Sequence, residues 1–492
     1  MRVATAGAVL LALVGWAVSS PIGASPDDDY HLASIWCSEF SPLHPCTQVP
    51  GEEGGASYLV PAVLVESHVC FAFQPESTAD CADDVSESLR LTDRINQTQG
   101  LYPGGFYTVM SVFASSDFTR SVSMMRVSNA LLAASLLATF LFLGASTVRR
   151  SALLALPVIF IPLGVFLFAS TNPSSWTVLG SIFYFLFGLT AFFGRAGRGR
   201  YVASLLLAVL AAALALMSRV DGSVFIVVIT LAIVVLASGA HLQRAKAATI
   251  TVISVGIAGS ITFWLQGLGP AGSESTIGES RYVGGLFLTN LLEIPSFLGG
   301  AVGAAPLGWG DTPMPGLVLT VGLFSVGGIA IWGLSVVDFR KALTLVGLVV
   351  TTFGLPVALA QQQRIDVLDF VQARYLLPLI AVLVLTLALT LPPVRRASMQ
   401  AVPHYTLAVL VSLSGAVALW ANYHRYAYGA QEPLLARNLE PAWPGLWGPS
   451  SLAFIIVGMI ATVAFVMLMA VQYRHVKYGA DNEASTEGRV LS

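Results

Sequence analysis

Charge is scarce in this sequence. Only 11% of its 492 residues are Asp, Glu, Lys or Arg, against 55% hydrophobic. That apolar content exceeds what a water-soluble core needs. Ionisable residues are also missing from the middle of the long apolar runs, where ion-coupled transporters and proton relays require them, so a secondary transporter is disfavoured. No convincing internal repeat or low-complexity tract is present, and no nucleic-acid partner is expected. Cysteine is limited to Cys37, Cys46, Cys70 and Cys81, all in one stretch. Their spacing matches no zinc pattern, which favours structural bridges in an oxidising compartment. Of the three possible pairings, Cys37 to Cys46 with Cys70 to Cys81 is the local one.

What the chain has instead is a succession of apolar runs of about bilayer length. Spans are expected at 3–21, 126–146, 151–169, 177–193, 201–217, 222–239, 247–265, 317–336, 342–360, 376–391, 403–421 and 450–471, about twelve in all. The expected fold is an all-α polytopic membrane protein. Residues 1–21 form an uncleaved first helix, 22–125 a large first loop, 126–265 spans two to seven, 266–316 a second loop and 317–471 the remaining spans. Residues 472–492 read as a disordered tail. The short loops "VRRS", "GRAGRGR", "HLQRAKA", "DFRKA" and "PPVRRAS", and the tail "QYRHVK", fall on one side of every alternation. Both termini are therefore expected in the cytoplasm of a plasma-membrane protein, with the long acidic loops outside. Within those loops, "YLVPAVLVESHVCFAF" and "LYPGGFYTVMSVFA" suit interfacial helices. Residues 282–303, interrupted by Glu293 and Pro295, suit a re-entrant or interfacial segment.

The candidate chemistry is external. Asp27, Asp28 and Asp29 follow the first span, with His31 close behind. Their mutual repulsion should raise one apparent pKa unless a cation compensates, and a carboxylate beside the bilayer suits a general base. A solvated acidic turn is the alternative. Arg364 and Arg374 flank the segment "RIDVLDFVQARY". Guanidinium groups there can grip a phosphate, with Gln372 and Tyr375 as added donors, or can serve as interface anchors. Arg219 and Asp221 form a local ion pair or extend the same site. Asp311, in "LGWGDTPMP", suits a tight turn, and His44, His68 and His404 lack metal-ligand spacing. The "NQT" at Asn96 is a glycosylation sequon by pattern only. Mg²⁺ or Mn²⁺ held by the three aspartates stays open, although adjacent residues seldom converge on one ion.

Four segments, "SPDDDYH", "TNPSSW", "LGWGDTP" and "VQARYLLPL", together resemble a family of actinobacterial and other bacterial membrane proteins known as domain-of-unknown-function family 2142. That family in turn resembles the GT-C glycosyltransferases, which take sugars from polyprenyl-phosphate donors. The resemblance implies a GT-C-like fold, Asp27 as base, Asp28 at the second acidic position, His31 as the following histidine, and Arg374 with Tyr375 as the late "RY". It departs at Asp28, where glutamate is common, and at Ala373, where glycine is common. The implied activity is transfer of a sugar, with inversion, to a cell-envelope glycan, lipid or protein acceptor on the outer face. A non-catalytic glycan flippase or envelope-assembly scaffold is the competing expectation.

Overall fold

The computed structural model describes residues 1–476 apart from 43–45, 51–55, 85–87, 195–196, 238, 240–241, 243–244, 268–284, 391–398 and 436–439. His44 and the expected tail beyond 476 lie outside the described residues. Nine helices among them are long and apolar enough to cross a membrane: Phe118–Leu143, Ser146–Phe168, Ser174–Phe193, Arg198–Leu216, Lys246–Gln266, Gly316–Leu334, Phe339–Gln363, Ala401–Tyr428 and Gly448–His475. The protein is a multi-pass membrane protein.

Three of the twelve expected spans form helices shorter than any of these nine. Arg2–Val18, Asp221–Leu236 and Ala373–Ala388 have 17, 16 and 16 residues, or about 24–26 Å at 1.5 Å per residue, against a ~30 Å apolar core. Pro21 lies just beyond the first of them, and a proline there cannot continue a helix. The second span departs in the other direction. Its helix starts at Phe118 rather than 126, because Asp117 caps it by accepting from the Arg120 N–H at 2.9 Å.

Close approach of small residues seats the first helix against the last. A Cβ on Gly15 would lie 2.9 Å from the Gly458 Cα, so these two backbones touch as small-residue pairs allow. Gln472 also donates to Thr5 Oγ1 at 2.6 Å. At the opposite side of the bundle, buried Lys341 donates to the carbonyls of Gly333, Leu387 and Leu389, each at 2.8 Å. One ammonium thus satisfies the C-terminal carbonyls of two helices, where the helix dipole favours a cation. Met1, Arg2, Arg149 and His475 line one cavity, so the start of the first helix meets the end of the Ser451–His475 helix at the end of the bundle away from the first loop.

The first loop corrects the all-α expectation. Strands β1 (Thr47–Pro50), β2 (Ala56–Pro61) and β3 (Leu89–Thr92) form an antiparallel sheet in the order β1-β2-β3. Leu59 pairs with both Thr47 and Leu91. The run "YLVP", expected to begin an interfacial helix, instead closes the strand "ASYLVP". Its β-branched and aromatic residues and closing proline favour a strand once two partners flank it, and helix resumes only over Ala62–Glu66. The disulfides are Cys37–Cys46 and Cys70–Cys81, as the local pairing required. The expected helix in "GGFYTVM" forms at Gly105–Met110. Residues 286–301 are helical but break at Glu293, into helices of 7 and 8 residues, each too short to cross a bilayer.

Candidate functional site

The three aspartates do not act together. Asp27 stands before the Asp28–Trp36 helix with φ 59° and ψ 25°, a left-handed conformation that Asp tolerates better than most residues. That turn sends successive carboxylates to different partners. Asp27 accepts from Arg94 Nη2 at 3.0 Å and from Arg374 Nη2 at 2.8 Å. Asp29 accepts from Arg94 Nε at 2.6 Å. Asp28 is fully buried and accepts from Thr171 Oγ1 at 2.5 Å and the Ser25 N–H at 3.2 Å.

The expected repulsion is therefore resolved by separation. Burial pushes the Asp28 carboxyl up to about 6, against the pull of the Arg126 charge and the Thr171 hydrogen bond. Burial also works to raise Asp27, but the guanidiniums of Arg374 and Arg94 outweigh it and hold the carboxyl below its ordinary value. Asp27 is thus ionised at neutral pH, with 30% of its side chain exposed. A single divalent ion does not fit this arrangement, since the carboxylates diverge and two already carry cationic partners. Among the described residues no three His, Cys, Asp or Glu side chains converge as ligands.

The motif "TNPSSW" is the lock on this turn. Asn172 donates to the Pro26 carbonyl at 2.9 Å, beside the Thr171 contact to Asp28. Asn129 donates to the Ser170 carbonyl at 2.7 Å and accepts from Trp176 Nε1 at 2.9 Å. Arg126, buried, donates to the carbonyls of Ala17, Ser20 and Pro21 at 3.0, 2.6 and 2.7 Å, fixing the exit of the first helix. Asp28, expected at a second catalytic position, is therefore a joint between segments. His31 is buried among tyrosines with its Nδ1 2.9 Å from the Tyr107 hydroxyl. Burial pushes it down to about 3, so it is neutral. Asn96 is occupied internally, accepting from the Tyr30 hydroxyl and the Tyr102 N–H, each at 2.9 Å.

The "QARY" residues complete the cluster. Arg374 also donates to the Tyr375 hydroxyl at 3.1 Å. The Tyr375 ring lies between two guanidiniums, that of Arg219 at 4.5 Å and that of Arg374 at 5.0 Å, a cation–π pairing on both flanks. Arg219 grips Asp221 with Nε at 2.9 Å and Nη2 at 2.8 Å, so it both forms the local ion pair and extends the site. Gly300 brings the Ile294–Ala301 helix up to this corner, since a Cβ there would lie 2.6 Å from the Ala373 Cβ. Arg364 stands exposed outside the cluster. Asp311 lies apart as well: its carboxylate accepts from Arg425 at 3.1 Å and from the Thr312 hydroxyl at 3.2 Å.

Asp27, Gln372 and Arg374 rim a cavity of about 550 Å³ whose other wall includes Leu163, Phe166 and Leu167. That wall follows the break in the Ser146–Phe168 helix, where Ile161 leaves helical geometry between Pro157 and Pro162. The cavity is thus charged at one side and membrane-apolar at the other.

The family model for DUF2142, described as a predicted membrane protein, matches residues 10–383. The chain belongs to that family. No curated protein and no solved structure matches it. The segment shared with DUF2142 holds Asp27, Arg94, Thr171, Arg219 and Arg374, while Arg425 lies beyond it. Of the candidate site residues read from the sequence, Asp27, Asp29, Arg219, Asp221, Arg374 and Tyr375 are in one network. Sequence reasoning missed Arg94, the cation that bridges two of the aspartates, and Arg126. Neither carries a local sequence signal, since Arg94 stands 67 residues from Asp27.

Proposed function

We propose that this protein is an integral membrane glycosyltransferase that moves a sugar from a polyprenyl-phosphate donor to a cell-envelope acceptor on the outer face. The observation that carries this reading is the cavity in which Asp27 and Arg374 stand opposite an apolar wall supplied by a membrane helix. Such a site suits an amphiphile whose charged head and apolar chain are joined at a phosphate. The positive-inside pattern of the loops supports the outer face.

In this mechanism the acceptor hydroxyl oxygen attacks the anomeric carbon as the bond from that carbon to the phosphate oxygen breaks. The electron pair leaves on the phosphate, where Arg374 stabilises it. The hydroxyl proton passes to the Asp27 carboxylate, and attack opposite the leaving group inverts the anomeric centre. Arg374 and Asp27 hold each other when no donor is bound. A donor phosphate competes for Arg374, frees one Asp27 oxygen and makes it a better base.

A flippase or scaffold is the alternative. A flippase needs a polar path through the bundle, whereas the apolar stretches of Ser146–Phe168 and Ser174–Phe193 are 100% and 94% buried. This packing favours the transferase. The test is transfer from a panel of radiolabelled polyprenyl-phosphate sugars to envelope acceptors by purified wild type and Asp27→Asn. Asparagine keeps the left-handed turn accessible, so a loss of about 10²- to 10⁴-fold reports the base. Equal transfer by both removes Asp27 from that role. No transfer by either, with folded protein and a verified acceptor, favours the flippase or scaffold.

A further inference from the structure

Phe73 breaks two rules at once. It is 72% exposed, and its backbone has φ 61°, a left-handed conformation that is an outlier for a bulky side chain. Strain of this kind persists only where the surroundings impose it, and it concentrates at functional positions. The surroundings here are specific. Phe73 lies inside the loop closed by Cys70–Cys81. Arg425 donates to the carbonyls of Phe71 at 2.7 Å and Gln74 at 2.9 Å, and also to that of Ser77. The loop is clamped on both sides of Phe73, and the clamp leaves the ring outside.

The exposed ring is also placed. It meets Trp309 edge-on, with centroids 5.6 Å apart, and both residues line the cavity that Asp27 and Arg374 rim. Trp309 is itself held, donating from Nε1 to the Gly23 carbonyl at 2.7 Å and stacking on His68 at 4.7 Å. These rings belong to loops, not spans, and share the cavity with Asp27 and Arg374. Two aromatic rings in a cavity that also holds a carboxylate and a guanidinium suit a saccharide. Its C–H faces pack on aromatic rings while its hydroxyls reach polar neighbours.

We infer that Phe73 and Trp309 form a platform for a sugar ring of the acceptor next to Asp27. This deepens the transferase reading and rests on it for the word acceptor, but the platform itself is a binding site and is tested by binding. Wild type, Phe73→Ala, Phe73→Gly and Phe40→Ala are reconstituted in nanodiscs free of sugar detergents. Saturation-transfer NMR then follows a panel of soluble neutral and acetamido-hexose oligosaccharides. Phe40, between Cys37 and Cys46, is another exposed phenylalanine, 66% accessible, and serves as the control.

The expected result is binding by wild type and Phe40→Ala, weakened about ten-fold or more in both Phe73 variants, the scale of losing one ring face. Glycine accepts a positive φ without strain, so Phe73→Gly is expected to melt no lower than wild type, which separates lost binding from lost folding. Unchanged binding in Phe73→Gly, or no saccharide binding by wild type, overturns the platform. Where transfer occurs, Phe73→Ala raises the acceptor KM with kcat within about two-fold, as expected for a residue used equally in ground and transition states. Absent transfer with intact, Phe73-dependent binding sinks the transferase reading and leaves the platform standing.

Discussion

Two Asp–Arg pairs lie on the same side of this molecule, and they are built for different work. Asp311 and Arg425 are 0% and 1% exposed at their side chains. Arg425 spends its remaining donors on backbone carbonyls, so the pair is closed to any ligand. Asp27 and Arg374 are 30% and 10% exposed and open onto a cavity, and Asp27 holds a second arginine, Arg94. The first pair clamps the loop that carries Phe73; the second can exchange partners. An ion pair is therefore judged by what else its guanidinium holds and by whether solvent reaches it, not by its distance, which is similar in both.

The contrast can be broken most strongly at Arg425. Arg425→Met removes the cationic partner of the buried Asp311 carboxylate and the guanidinium donors to the carbonyls of Phe71, Gln74 and Ser77. A loss of about 3–5 kcal/mol is expected, seen as a collapse of the monodisperse fraction on purification. A normal melting curve for this variant would show that the clamp is dispensable.

Asp28 comes next. Its carboxyl in the fold titrates at about 6 against an ordinary 3.8, so between those values the folded protein binds more protons than the unfolded one. Its contribution to stability is full below 3.8 and is lost as the pH rises through about 6, a difference of about 3 kcal/mol. Asp28→Asn is expected to flatten that part of the profile in thermal unfolding between pH 4 and 7. An unchanged profile would assign the titration elsewhere.

Two smaller effects sharpen the open pair. Arg374→Lys keeps the charge but loses the planar fork, and a fall of about ten-fold in transfer is expected. The smallest effect is on folding: because the Asp27 pairs are partly exposed, Asp27→Asn is expected to melt within about 4 °C of wild type. A large drop would make Asp27 a structural residue like Asp311.

Much of the scaffold was legible in the chain. Long apolar runs report their own helices because bilayer crossing is a matter of length and hydropathy along consecutive residues. The cysteine pairs were legible because the nearest partners in sequence were also nearest in space. The acidic motif was legible only as a group. Nothing in "DDDYH" says that Asp27 faces a cavity, that Asp28 is sealed against Thr171 or that His31 is neutral, since a one-residue change in helix position turns a side chain from solvent to core.

What the sequence by itself determined, then, is the succession of membrane helices, the disulfide-bearing loop and the types of residue available for chemistry, all of which follow from local composition. The tertiary structure decided the partners. Arg94 reaches Asp27 across 67 residues and Arg374 across 347, while the strand over Ala56–Pro61 is flanked by its neighbour Thr47–Pro50 and by the more distant Leu89–Thr92. Charge pairing and burial depend on distances in space that no local pattern encodes. The same aspartate can therefore be a joint, a clamp or a candidate base according to what the fold sets beside it.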